Sequence, residues 1–232
     1  MNNIELAWSV LSTPRAAFAE LQERPRFWFP LLLTLAATVA VLVWYYAIVD
    51  LPWLAEHLMS GNEQLQRMPE AQRERAMAAM TRPMLMGSSV IGAVVIITVV
   101  RFVEAGYYSL AGKITNLQYS YRQWLALSCW SSLPYLLGVL VMAGYLIAAP
   151  SKQIGNEELQ LLSFNELFFH RSVGEPGFAL LSNLTLLHPW SWFLTVLGVR
   201  LWSGRSVQFS SLFALVPIAV VYGVWALIAF RG

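Results

Sequence analysis

FWFPLLLTLAATVAVLVWYYAIV, residues Phe27–Val49, runs for 23 positions without a charged side chain. As a helix rising ~1.5 Å per residue it would measure about 35 Å, enough to cross a hydrocarbon core of about 30 Å. It opens on Phe27, Trp28 and Phe29 and closes on Trp44, Tyr45 and Tyr46. Aromatic rings of this kind favour the boundary between water and lipid. Outward from this run the same pattern recurs in Pro83–Val100, Gln123–Ser151, Ser172–Val199 (Glu175 its one charge) and Ser206–Phe230. The whole chain is only 12% charged, against about 25% in ordinary soluble domains, and its mean hydropathy is +0.55. A soluble fold this apolar would expose large greasy patches. The reading is an all-α polytopic membrane protein with short interfacial helices. Its five transmembrane helices are expected near residues 28–49, 84–105, 122–149, 178–202 and 207–230, so that 28–232 forms a membrane domain behind an amphipathic entry, 1–27.

Within the entry, Thr13 followed by Pro14 reads as an N-cap and first-turn pair. Phe18 and Leu21 share one face, and Pro25 ends the segment. Pro14–Arg24 is expected to lie in the headgroup plane. Ile4–Leu11 is polar-interrupted and follows no basic stretch, so no cleavable signal peptide is read there; the first apolar run is expected to serve as the insertion signal. The connection Asp50–Arg82 holds five acids and four arginines, with a surface helix expected from Pro69 through Met80. Pro150–Gly177 holds four acids against Lys152 and Arg171.

Three prolines fall inside apolar runs. Pro134 should break the third span and free the Trp130 carbonyl, with Ser131 and Ser132 at hand to satisfy groups around the break. Pro189 interrupts the fourth span: either the helix kinks there, or its first half is re-entrant. Pro217 lies within the fifth. Ser120-Tyr121-Arg122-Gln123 is a capping box that should start the third span.

With the N-terminus inside, inner segments hold eight basic residues and outer segments seven, while the outer connections carry nine of the thirteen acids. Short loops weigh most in setting orientation, which favours a cytoplasmic N-terminus.

TPRAAFAELQERPRFWFPLLL (Thr13–Leu33) resembles the entry of the Yip family, the Ypt/Rab-interacting membrane proteins, in its bacterial branch. So do AGK (Ala111–Lys113) leading to SYRQWLALSCWSSLP (Ser120–Pro134), and WSWFLTVLGVRLWSGRS (Trp190–Ser206) ahead of the Pro217 helix. The resemblance covers most of the chain. It implies a five-helix domain in a bacterial inner membrane, with the bilayer and other membrane proteins, or further copies, as partners. Eukaryotic members act in vesicle traffic and bind Rab-class GTPases through a long cytosolic region ahead of the first span. Only 27 residues stand there in this chain, so GTPase binding is not expected. The family offers no catalytic residues to carry over.

Chemistry is sparsely marked. His57, His170 and His188 sit on separate segments, without a compact metal-ligand motif. Glu166 and His170 lie one turn apart, a spacing that can share a metal, yet interfacial histidines are the plainer account, and no metal or other cofactor is expected. No Gly-x-Ser-x-Gly elbow, Walker loop or dinucleotide pattern occurs. The one aspartate, Asp50, excludes an intramembrane aspartyl protease, which needs two. Cys129 is the single cysteine, so no intrachain disulfide forms. Net charge of +2 is too small to suggest nucleic acid. Asn183-Leu184-Thr185 matches a glycosylation acceptor and is read as accidental. No catalytic residue is assigned and the protein is read as no enzyme.

Arg101 and Glu104 are the most informative charges, because ionisable residues inside a membrane are functional candidates by default. The pair is expected at the inner end of the second span, snorkelling to water and worth about 0.3–0.5 kcal/mol. The leading functional reading is a non-enzymatic membrane scaffold or organising protein. The alternative is a small transporter or lipid-handling protein built on the broken helices at Pro134, Pro189 and Pro217, because broken helices often line midplane sites.

Overall fold

The computed structural model describes residues 1–61 and 63–231; Asn62 and Gly232, both inside the expected membrane domain, lie outside the described residues. The chain is all-helical. In order the α-helices are α1 (Asn3–Ser12), α2 (Pro14–Glu23), α3 (Trp28–Ile48), α4 (Leu51–Ser60), α5 (Glu63–Gln66), α6 (Glu70–Ala79), α7 (Arg82–Ile114), α8 (Tyr121–Ser131), α9 (Tyr135–Ala148), α10 (Phe178–Asn183), α11 (Leu187–Ser203) and α12 (Val207–Ala229). A short 3₁₀ turn (Glu157–Leu159) and a π-turn (Asn165–Phe169) lie between α9 and α10. An isolated bridge pairs Ser163 with Thr185.

Among the described residues four segments are long and apolar enough to cross a membrane: Trp28–Ile48, Arg82–Ile114, Tyr121–Ala148 and Val207–Ala229. The expected fourth span is not one helix. Helix α10 stops at Asn183, Leu184 is extended, and α11 begins at Leu187. Pro189 therefore stands in the first turn of α11, where a missing N–H leaves no helical bond unmade. The break lies ahead of this proline, not at it. The helix that carries the expected second span continues past residue 105 to Ile114. The helix stops only where Asn116 takes a left-handed φ of 60° and Leu117 N–H bonds the Gly112 carbonyl at 2.8 Å.

The chain divides into two compact units. The first comprises Met1–Ala36, Val95–Leu137 and Leu187–Val224. Its centre is α8, buried without interruption from Trp124 to Ser131. The Ser120–Gln123 capping box starts this helix, with Gln123 N–H donating to Ser120 Oγ and the Gln123 side chain accepting from Ser120 N–H. Helix α1, whose Asn2–Glu5 capping box was not recognised in the sequence, packs Leu6 and Val10 onto this core. Ala17, Phe18 and Leu21 of α2 join them, all fully buried. Pro14–Arg24 is thus anchored on protein along its apolar face. Trp202 Nε1 donates to the Phe18 carbonyl (2.8 Å), Gln123 Nε2 to the Gln22 carbonyl (2.8 Å), and Trp130 Nε1 to the Arg26 carbonyl.

The second unit comprises Ala37–Val94, Gly138–Leu186 and Trp225–Gly232. Its core gathers Val41, Tyr45, Tyr46, Val49, Leu54, Leu146, Ile154 and Leu159. Asp50 caps α4 by accepting from Trp53 N–H. Arg82 donates to the Tyr46 and Val49 carbonyls, the last acceptors of α3, where a cation also suits the helix dipole. Tyr45 Oη–H donates to the Ile154 carbonyl (2.8 Å). His57 Nε2 meets Glu157 Oε1 at 2.5 Å, with Trp53 stacked on its ring. Helix α6 buries no residue, as a surface helix should.

Candidate functional site

Within the first unit, α7 sets Arg101 and Glu104 three residues apart, on one helix face. Arg101 Nη1 lies 3.0 Å from Glu104 Oε2, and the two side chains are 14% and 22% exposed. Across from them, α8 presents Ser128, itself buried. Its hydroxyl donates to Glu104 Oε2 at 2.6 Å, while Arg101 Nη1 donates to its carbonyl at 3.3 Å. One carboxylate, one guanidinium and both polar ends of one serine thus close on each other.

Pro134 sets the geometry. Having no N–H, it cannot continue the α-helical ladder, and α8 ends at Ser131. The helix C-terminus carries partial negative charge, so the Arg101 guanidinium is drawn to the Ser128 carbonyl near that end. Around the break the Trp130 carbonyl accepts from Leu133 N–H (3.2 Å) and the Cys129 carbonyl from Ser132 Oγ–H (2.8 Å). Ser131, the other serine expected to help, is buried with no hydrogen-bond partner for its hydroxyl.

Arg101 stands thirteen residues before Ile114, not at the end of α7, and its charge is met by Glu104 and by the Ser128 carbonyl.

Next to the clasp is an aromatic group. It is built around Tyr135 and His188. The His188 ring lies 5.0 Å from Tyr135, 5.8 Å from Trp192 and 5.8 Å from Tyr222. Thus the structure brings Arg101, Glu104 and the Pro134 break into one unit, while Pro217 sits inside α12, which continues through it. His57 and His170 belong to the second unit and His188 to the first; among the described residues no group of three possible ligands could hold a metal.

Reading the sequence missed Ser128, one of several small residues in an apolar run. It also missed a second aromatic group in the first unit. Trp124 has ring centroids of Tyr108, Tyr119, Trp202 and Phe213 within 6.0 Å. The Tyr119 phenol donates to the Trp202 carbonyl and accepts from Gln22 (2.9 Å). Burial pushes its ionisation up against the opposing effect of Gln22, so it remains a neutral donor.

Two cavities, of about 570 Å³ and 380 Å³, open in the second unit. Asp50, Trp53 and Met77 are among the residues lining the first; His57, Glu157 and Ser182 are among those lining the second. Neither is lined by a residue of the Arg101–Glu104 clasp.

Compared with known proteins, the chain matches the family model described as the Yip1 domain over residues 8–228. No curated protein and no solved structure matches it.

Proposed function

The chain belongs to the Yip1 domain family, and from that premise we propose that it is a non-enzymatic membrane scaffold that recruits other membrane proteins by helix packing. The observation that carries this reading is the surface of α7. Along this helix Ile91, Gly92, Val95, Ile96, Val99 and Val103 are exposed. A Cβ built at Gly87 or Gly92 would meet nothing within 4 Å. In lipid, helix association is driven by close packing at small residues, and Ser88 with Gly92 supplies that spacing. Further copies of this chain are the first partner to test.

Ser88→Leu and Gly92→Leu are expected to leave the thermal midpoint of the purified monomer within about 2 °C, since surface changes away from contacts rarely alter stability by more than ~0.5 kcal/mol. The same changes should remove the associated species seen after crosslinking in membranes. A monomer destabilised by these leucines would show that the face is already packed, and an undiminished crosslinked species would place the contact elsewhere.

In the proposed topology α10 and α11 together form the fifth crossing, in an inner membrane with the N-terminus cytoplasmic. At seventeen residues, α11 alone spans about 25 Å, short of a core of about 30 Å. In a Cys129→Ser background, an impermeant thiol reagent applied to intact cells should label cysteine placed at Arg67 and spare one at the exposed Ser12. The reverse pattern would invert the orientation.

The break at Pro134 beside Arg101 is the observation that favours the second reading, a small transporter or lipid-handling protein. Against it stands the closure of the clasp on itself.

A further inference from the structure

We infer that one end of the first unit is a surface for anionic phospholipid headgroups, with α1 as its apolar foot. Arg15, Arg24, Lys113, Arg122, Arg200 and Arg205 are all exposed. They come from α2, the ends of α7, α8 and α11, and the loop ahead of α12. Hydrogen bonds gather these segments. Arg205 Nη2 donates to the Thr115 carbonyl at 2.6 Å, joining the loop before α8 to the loop before α12. The bonds of Gln22, Tyr119, Gln123 and Trp202 join both to α2.

The charges are unbalanced. Among the described residues, the ion pairs of this end are those of Glu20 with Arg26 and with the N-terminal amine. Glu5 turns its carboxylate back onto Asn2 N–H, leaving Glu23 as the other exposed acid of these segments. The gathered cations face outward without a carboxylate partner. A surface of this sign attracts anionic lipid.

The apolar foot points to lipid, not to a dissolved anion. Helix α1 buries Leu6 and Val10 but leaves Ile4 75% and Trp8 73% exposed. Ile4 and Trp8 are one turn apart on the face turned away from the protein. Trp28, Leu110 and Ile114 are exposed too, each within three residues of a basic residue in sequence. Tryptophan and isoleucine beside arginine are the composition of a helix that settles into the headgroup boundary. This inference needs only the membrane setting; it does not depend on partner recruitment by α7.

The test is native mass spectrometry of the full chain in detergent, titrated with phosphatidylglycerol or phosphatidylcholine. Phosphatidylglycerol should bind more tightly. The triple variant Arg15→Gln, Arg122→Gln, Arg200→Gln should weaken it by about 100-fold, at about 5-fold per charge near an anionic surface. Phosphatidylcholine binding should hold. Ile4→Ser with Trp8→Ser should weaken both lipids. Thermal midpoints, expected to be unchanged, report whether each variant is folded; if the triple variant unfolds, the wild-type preference between the two lipids and the single variant Arg122→Gln decide the matter. Equal binding of the two lipids by the wild type, or an unaltered preference in a folded charge variant, would overturn the inference. Displacement of the lipid by inorganic phosphate together with an indifferent foot variant would also overturn it, showing a site for a free anion.

Discussion

Arg101→Met and Glu104→Gln are each expected to destabilise the protein by about 3–5 kcal/mol, and the double variant by far less than the sum. Each single change leaves the partner charge inside the protein without its counter-ion. In Arg101→Met, Glu104 keeps only the Ser128 hydroxyl at 2.6 Å. In Glu104→Gln, Arg101 keeps the Ser128 carbonyl at 3.3 Å, a neutral acceptor. A double-mutant cycle read by thermal stability in lipid should give a coupling above about 2 kcal/mol, whereas exposed pairs seldom exceed about 1. Ser128→Ala should lower the coupling, because its hydroxyl donates to the shared carboxylate. A coupling below about 1 kcal/mol would mean that water reaches the pair.

Trp124→Ala should cost about 3–5 kcal/mol, a large part of a total stability of about 5–15. The side chain is fully buried among the rings of Tyr108, Tyr119, Trp202 and Phe213. Its Nε1 has no hydrogen-bond partner, so the loss is of packing, not of a polar contact. Trp124→Phe should therefore recover most of the stability and Trp8→Ala, on the exposed face of α1, should lose almost none. Thermal unfolding in one detergent orders the three. Equal losses at Trp124 and Trp8 would remove the aromatic group from the core.

Much of the helical architecture could be read from runs without charge. A span declares itself by what it excludes, and Phe27–Val49 does so over its whole length. The Ser120 capping box and the break at Pro134 were legible because each rests on local backbone chemistry. The extent of α7 was not. Arg101 and Glu104 suggest the end of an apolar helix when hydropathy alone is read, but the two charges pair within α7, and the helix continues to Ile114. The break before α11 was misplaced for a related reason: Pro189 suggested an interruption, while the turn is made by Leu184 and its neighbours, none of which carries a strong breaker. Neither Ser128 nor Trp124 stands out in an apolar run. Their importance comes from the helices packed against α8, a tertiary fact that no local pattern records. The polar start of α1 concealed a helix whose capping box, Asn2 to Glu5, was there to be found.

The proposed function requires that α7 present a helix face to other membrane proteins. The most direct measurement places cysteine at Gly92 in a Cys129→Ser background and crosslinks it with a short bismaleimide in native membranes, with Val220 on α12 as control. A discrete crosslinked species is expected at Gly92, absent at Val220 and abolished by Ser88→Leu. Equal random crosslinking at both positions, or none at Gly92, would contradict that function and leave α7 as a helix facing only lipid.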